Sequence, residues 1–382
     1  MPPAVIVRGM GLRCALGMDV AACHASLVAG RAAPQALAMP TFTETLSLPF
    51  YAVPGDNDLF DPARAVALLE GVGREAVANA GLTGAEVARL PIFIGTSAFS
   101  LENAASAPGT QRRHQETGEA VPLIGYQEMA DTLLRALGSR GDTYAFLTAC
   151  TSAANAVISA ARMIELGWYD QALVVGLEMA NLATMSGFSS LQLVATELKP
   201  FDRERQGIVL GEGVGAVVLA RAEAVDAGLH IRAGASNVDS YRVTTTNPDG
   251  GSIAALQRTV LQRSGVATSA IRGIKAHGTG SPMNDASEAA GIRRVFDAPP
   301  PVCALKPYLG HTLGACGVNE LILMVKALEA GFIPATPGFA TPDPELGVVP
   351  TTAHTAAGPG HYLLNFFGFG GHNSVMLVEH RA

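Results

Sequence analysis

The chain has 382 residues, 48% of them hydrophobic, with 33 acidic against 26 basic side chains and a formal charge of −7. That length and apolar content support a large buried core, as two domains or one duplicated one. The acidic balance, with no lysine or arginine run to offset it, argues against a nucleic-acid binder, and no apolar run approaches the roughly 18 residues of a membrane span. Met1 to Gly9 lacks the layout of a signal peptide, so a cytoplasmic location is expected. Cys14, Cys23, Cys150, Cys303 and Cys316 are an odd set without ligand spacing. Reduced thiols and no metal site are expected from them.

Taken in order, AVIVRG reads as a strand, and Asp19 to Ala29 as a helix. Residues 31 to 60, interrupted by proline, read as irregular. Pro62 to Ala80 is an amphipathic helix with proline in its first turn and Gly81 behind it. Pro91 to Gly95 is a strand, 96 to 118 a surface loop, and Tyr126 to Leu137 a helix. Tyr144 to Thr148 is a strand that runs into a helix from Ser152, with further strands at Ala172 to Gly176 and Gly215 to Ala220.

A second cycle follows. It comprises strand Leu229 to Ser236, helix Ile253 to Ser264, strand Gly273 to Ala276, helix Ala286 to Val295, strand Pro301 to Ala304 and helix Gly314 to Ala330. An extended, proline-rich connection at 334 to 350 leads to a closing hairpin of Tyr362 to Phe366 and Ser374 to Glu379. The repetition predicts an α/β protein of two similar halves, 1 to 225 and 226 to 382.

Cys150, in LTACTSA, sits where a strand meets a helix. A thiol there faces the positive end of the helix dipole, which favours thiolate and hence a nucleophile; the alternative is a small buried hydrophobe. Three further blocks, each bearing glycine, end predicted strands: KAHGTGSPMND at 275 to 285, LKPYLGHTLGACG at 305 to 317, and NFFGFGGHNS at 365 to 374, as LTACTSA does without one. The first two supply His277 and His311, each beside glycine and interior to its block, as candidate site histidines. A thiolate can accept an acyl group by thioester exchange, and two imidazole N–H groups can hold the enolate oxygen formed when a carboxylated thioester loses carbon dioxide. No G-x-S-x-G, H-E-x-x-H or G-x-x-x-x-G-K motif is present. The run Gly211-Glu212-Gly213-Val214-Gly215 leads into a strand-like AVVLA rather than a helix, so it fails as a dinucleotide loop.

Together with KPFDRERQGIVLGEGVG at 199 to 215 and IPATPG, these ordered blocks resemble the β-ketoacyl-acyl carrier protein synthases of the elongating type, within the thiolase superfamily. The resemblance implies a five-layered αβαβα sandwich of two pseudo-symmetric halves. It also implies an acyltransferase that joins a Cys-bound acyl group to malonyl-acyl carrier protein in fatty acid, polyketide or aryl polyene synthesis. Cys150 matches the acyl acceptor, His277 and His311 the histidine pair, and Lys306 the lysine before the second histidine. Glu320 matches the acidic residue near that lysine, and Asp285 and Glu288 the acids after the first histidine. Phe369 matches the gate of the acyl pocket and shares an oxyanion hole with Cys150. Thr279 and Ser281 match hydroxyls that contact the phosphopantetheine arm, with Gly370, Gly371 and His372 counted as substrate-binding.

The implied cofactor is none, because the phosphopantetheine arm arrives on the substrate. The implied partners are acyl carrier protein and a second copy in a homodimer, or a second ketosynthase-like subunit in a heterodimer. The non-catalytic alternative is a subunit like the chain-length factors. Arg64, Arg112, Arg113, Arg203 and Arg205 are the candidate basic contacts for an acidic carrier. The chain departs from the family at His372, where a threonine is common, at HGTGS, and at Phe366, where a serine is common. Residues 97 to 140 are also shorter than in typical members.

Overall fold

A computed structural model describes residues 4–30, 33–40, 45–55, 59, 61–97, 125–222, 226–244 and 246–382. The first cycle runs β1 (Ala4–Cys14), α1 (Val20–Val28), β2 (Gln35–Pro40), β3 (Thr45–Tyr51), α2 (Pro62–Ala80) and β4 (Ile92–Gly95). It continues with α3 (Tyr126–Leu137), β5 (Thr143–Phe146), α4 (Ser152–Glu165), β6 (Gln171–Glu178), α5 (Leu182–Ser190), β7 (Leu210–Gly211) and β8 (Gly213–Ala222). The second runs β9 (Gly228–Val238), α6 (Gly251–Ser264), β10 (Ile271–Ala276), α7 (Pro282–Val295), β11 (Val302–Ala304) and α8 (Cys316–Glu329). It closes with β12 (Phe332–Ile333), β13 (Thr355–Ala356), β14 (Gly360–Phe367) and β15 (His372–Arg381).

Ten strands lie in the order β11-β10-β14-β15-β9-β1-β8-β6-β4-β5. Each half therefore places its own five main strands in the same order from the edge inward: third, second, fourth, fifth, first. Both pair the outer three in parallel and the inner ones antiparallel. The halves meet where β1 pairs β9 at Val5↔Ile231 and Ile6↔His230. The parallel strands are covered on both faces, which is why IFIG and ALVVG read as unbroken apolar runs.

Helices α2 and α3 cover the outside of the first half, and α6 and α7 the outside of the second. Between them α4 and α8 pack on each other, which makes the five αβαβα layers expected above. That central contact is close because its residues are small. A Cβ at Gly317 would lie 2.0 Å from the Ala154 nitrogen. Helix α2 has the predicted caps: the Asp61 carboxylate accepts from the Ala63 N–H, and Gly81 closes the end in the left-handed region.

Two local expectations are corrected. Residues 31 to 60 are not wholly irregular: β2 and β3 form an antiparallel hairpin, joined in parallel to β7. Pro49 and Pro40 hide the alternation there, and both sit in a small three-stranded sheet separate from the main one. Helix α5, over NLATMSGFSS, was not anticipated. Its polar and small residues carry little periodicity, and Asn181 caps it by accepting from the Thr184 N–H at 2.8 Å. The predicted loop at 96 to 118 falls almost wholly outside the described residues. The GEGVG run enters β8 directly, and Glu212 within it is a buried ion-pair partner.

Candidate active site

Strand β5 ends four residues before Cys150, and the chain turns through Ala149–Thr151 into α4. Ala149 adopts φ +51°, a strained conformation for a residue with a Cβ. Side chains hold the turn: Ser152 Oγ accepts from the Thr148 N–H at 2.9 Å and donates to the Ala149 carbonyl at 2.7 Å. Cys150 is thereby presented at the helix mouth, 5% exposed.

Its ionisation departs from expectation. Burial pushes the thiol up to about 12, although the Lys306 ammonium and the N–H groups of Phe369 and Cys150 itself pull the other way. Loss of solvation outweighs the helix dipole, so the resting group is a thiol, not a thiolate. The same two N–H groups, aimed at the sulfur, frame a place where an oxyanion could sit.

His277 follows β10 and His311 precedes α8, yet their rings lie 5.4 Å apart at 82°. Each is 2% exposed. Burial, with Lys306, holds both imidazoles well below the usual range, so both are neutral near pH 7. The Lys306 ammonium faces His277 Nδ1 at 3.2 Å and donates to its carbonyl at 2.7 Å. An ammonium can only donate, so the His277 proton is on Nε2. His311 Nδ1 lies 3.2 Å from Cys316 Sγ. Burial raises the Cys316 thiol, which keeps the S–H that can donate to Nδ1.

Carboxylates fix the loops that carry these rings. Glu288 accepts from the His277 and Gly278 N–H groups, each at 2.9 Å. Asp285 accepts from Thr279 at 3.0 Å, Gly280 at 3.2 Å and Phe201 at 2.8 Å. The two acids lie one turn apart on α7 and grip one loop, so neither is on a solvated face. Gly278 has φ +46°, and a Cβ there would meet Ala304 Cβ at 2.6 Å, so the loop needs glycine. Glu320 accepts from Lys306 at 2.8 Å and also from Lys275.

Cys150, His277, His311, Thr279, Ser281 and Phe369 line one cavity of about 270 Å³. Lys306 and Glu320 stand behind the histidines. Gly370, Gly371 and His372 are not on the cavity wall. Gly370 donates to the Val243 carbonyl at 2.6 Å and the Gly371 carbonyl accepts from Asp239 at 2.7 Å, so these residues anchor the turn of Phe369 to the loop after β9. Phe369 stacks on Phe188 of α5 at 5.3 Å.

Three contributors escaped the sequence reading: Phe188, Cys316 and Lys275. Lys275 had a signal, being the charge within the predicted strand Gly273 to Ala276 and two residues before His277. Among the basic candidates, Arg64 is corrected: it is buried in an ion pair with Glu212 and donates to the Val53 carbonyl at 3.2 Å, which removes it from any docking face. Arg205 is held by Asp343 at 2.6 Å, Arg203 is exposed, and Arg112 and Arg113 lie outside the described residues. Among the described residues, no group of three His, Cys, Asp or Glu could hold a metal ion, and no helix is long and apolar enough to cross a membrane.

The chain is similar to known proteins along most of its length. Residues 54–224 match the family model described as beta-ketoacyl synthase, N-terminal domain, and residues 229–340 its C-terminal domain. The 3-oxoacyl-[acyl-carrier-protein] synthase 2 of Vibrio cholerae is 33% identical over 279 residues, which cover 68% of this chain and 67% of that protein. The chloroplastic 3-oxoacyl-[acyl-carrier-protein] synthase I of Hordeum vulgare is 28% identical, over 98% of this chain and 88% of that one. The structure of a ketosynthase in complex with its chain length factor from Xenorhabdus doucetiae superposes with a TM-score of 0.86 at 25% identity, covering 99% of this chain and 98% of that one.

Proposed function

The chain belongs to the β-ketoacyl synthase family of the thiolase superfamily, and from that premise we propose that it catalyses decarboxylative condensation of an acyl group on Cys150 with malonyl-acyl carrier protein. The observation that carries the reading is the convergence of one thiol and two buried imidazoles on a single cavity.

The acyl carbonyl of the incoming thioester is attacked by Cys150 Sγ. The thiol gives up its proton as the C–S bond forms, the departing carrier sulfur takes one up, and the carrier leaves as its own thiol. Malonyl-carrier then enters. Its C–C bond to the carboxylate breaks, carbon dioxide departs, and the electron pair becomes an enolate whose oxygen is held by the Nε2–H groups of His277 and His311. The enolate carbon attacks the acyl carbonyl on Cys150. The resulting oxyanion is met by the N–H groups of Cys150 and Phe369, and collapse expels the sulfur and releases 3-oxoacyl-carrier. Thr279 and Ser281 on the cavity wall are assigned to the pantetheine arm, Lys306 and Glu320 to holding the histidines, and Phe369 to the entrance. No resident cofactor is required, since the arm arrives on the substrate. Acyl carrier protein is the assigned partner, with Arg203 as a contact, and a dimer the assigned assembly in the cytoplasm.

The second reading, a non-catalytic subunit like the chain length factor of the Xenorhabdus complex, is disfavoured by the same convergence. The test is incubation of purified protein with acyl-carrier and malonyl-carrier. The proposal expects an acyl adduct on Cys150 by intact mass and 3-oxoacyl-carrier as product; neither appearing would overturn it.

A further inference from the structure

Lys275 is a fully buried cation to which the proposed reaction assigns no step. It lies in β10 between Ile274 and Ala276, and strand alternation points it inward at α8 rather than to solvent. Its ammonium donates to Glu320 Oε2 and to the Asn365 carbonyl at 2.7 Å, and lies 3.5 Å from the centre of the Phe366 ring. Two oxygens and an aromatic face satisfy all three of its N–H donors.

Glu320 is thereby clamped from both sides. One carboxylate oxygen is held by Lys275, and the other accepts from Lys306 at 2.8 Å. Lys306 in turn reaches the carbonyl and Nδ1 of His277. The relay Lys275, Glu320, Lys306, His277 is wholly buried, and only its last member lines the cavity. Two ammonium groups against one carboxylate leave a net positive charge behind the rings, and at short range in a dry interior that charge opposes their protonation. The other ionisable groups around the two imidazoles are Glu288 and Asp285 from α7, Cys316 from α8, and Cys150 from the nucleophile turn. The two thiols are kept neutral by burial. The Glu288 carboxyl is raised to about 7, mainly by burial.

We propose that Lys275 is a positioning residue for the decarboxylation step: by clamping Glu320 it aims Lys306 at His277 Nδ1, and its charge keeps both imidazoles neutral with the His277 proton directed into the cavity. The proposal rests on the condensation reading for its rate effects, but its electrostatic part does not.

The experiment compares Lys275→Met and Lys275→Arg with the parent protein. Cys150 acylation is followed by intact mass, and malonyl-carrier decarboxylation is followed as a function of pH. In Lys275→Met, acylation stays within about twofold, decarboxylation at pH 7 falls about 10-fold or more, and the acid limb of its pH profile moves up toward the ordinary imidazole value near 6.5. Lys275→Arg keeps the charge and returns the acid limb to its parental position. An unmoved acid limb with rates within twofold overturns the proposal, as does equal loss of acylation and decarboxylation, which marks a purely structural role.

A second measurement needs neither turnover nor a variant that folds. Nitrogen-15 spectra of the parent protein report whether His277 and His311 stay neutral down to pH 6, with His277 Nδ1 unprotonated. A midpoint at or above 6.5 overturns the proposal. If the parent protein shows no acylation or decarboxylation while its imidazoles behave as stated, the condensation reading fails and the electrostatic relay stands.

Discussion

Cys150 shows how burial can reverse an expectation drawn from local sequence. A helix mouth favours thiolate, but a thiol raised to about 12 by burial reacts through the small fraction that ionises. Alkylation of Cys150 by iodoacetamide should therefore keep accelerating from pH 7 to pH 10 without a plateau; a plateau near pH 7 would show a stable thiolate. The histidines carry the opposite sign. Their depressed values predict that malonyl decarboxylation persists as pH falls through 6.5, where an ordinary imidazole would gain a proton and lose its acceptor. A midpoint at 6.5 in that profile would contradict the neutral pair. Cys150, His277, Thr279, Ser281, His311 and Phe369 were legible because each sits in a distinctive block at the end of a predicted strand; Phe188 was not, because it lies on α5. Lys275 was not, because its partner Glu320 is recognised only when β10 and α8 are brought together in space; Cys316, five residues after His311, was not, because only the turn between them brings its sulfur onto that ring.

At the level of elements, the site depends on α4 and α8 approaching closely beneath it. Gly317 on α8 faces the backbone of Ala154 on α4, so any side chain there forces the helices apart and shifts Cys150 against His311. Gly317→Val should lower stability by about 1–3 kcal/mol or more, read as an earlier denaturant midpoint, with activity falling more steeply than stability. An unchanged midpoint would mean the contact is loose. Arg64 links α2 to Glu212 at the entry to β8. Arg64→Ala leaves that carboxylate buried without its partner and should cost about 3–5 kcal/mol; a loss of carrier affinity without a loss of stability would place Arg64 on the surface after all. The helix and strand periods made α2, α4, β6 and β8 legible from sequence. The hairpin β2–β3 was obscured by Pro40 and Pro49, and α5 by a run of small polar residues whose helix is set by the Asn181 cap and by packing.

Across the whole molecule, the two halves repeat one strand order but contribute different chemistry. The first supplies the sulfur, in the turn at the mouth of α4; the second supplies both imidazoles and the lysine–glutamate relay behind them. Neither half alone encloses the cavity, since Cys150 and Phe188 come from one side and His277, His311 and Phe369 from the other. The duplication was visible as two cycles of strand and helix, whereas the joint between β1 and β9 depends on register that no local pattern encodes. The most direct test of the account is a single turnover with acylated protein and malonyl-carrier labelled with carbon-13 in its free carboxylate. The account predicts one labelled carbon dioxide for each unlabelled 3-oxoacyl-carrier, and no product from Cys150→Ala. Label retained in the product, or product formed at parental yield by Cys150→Ala, would contradict it.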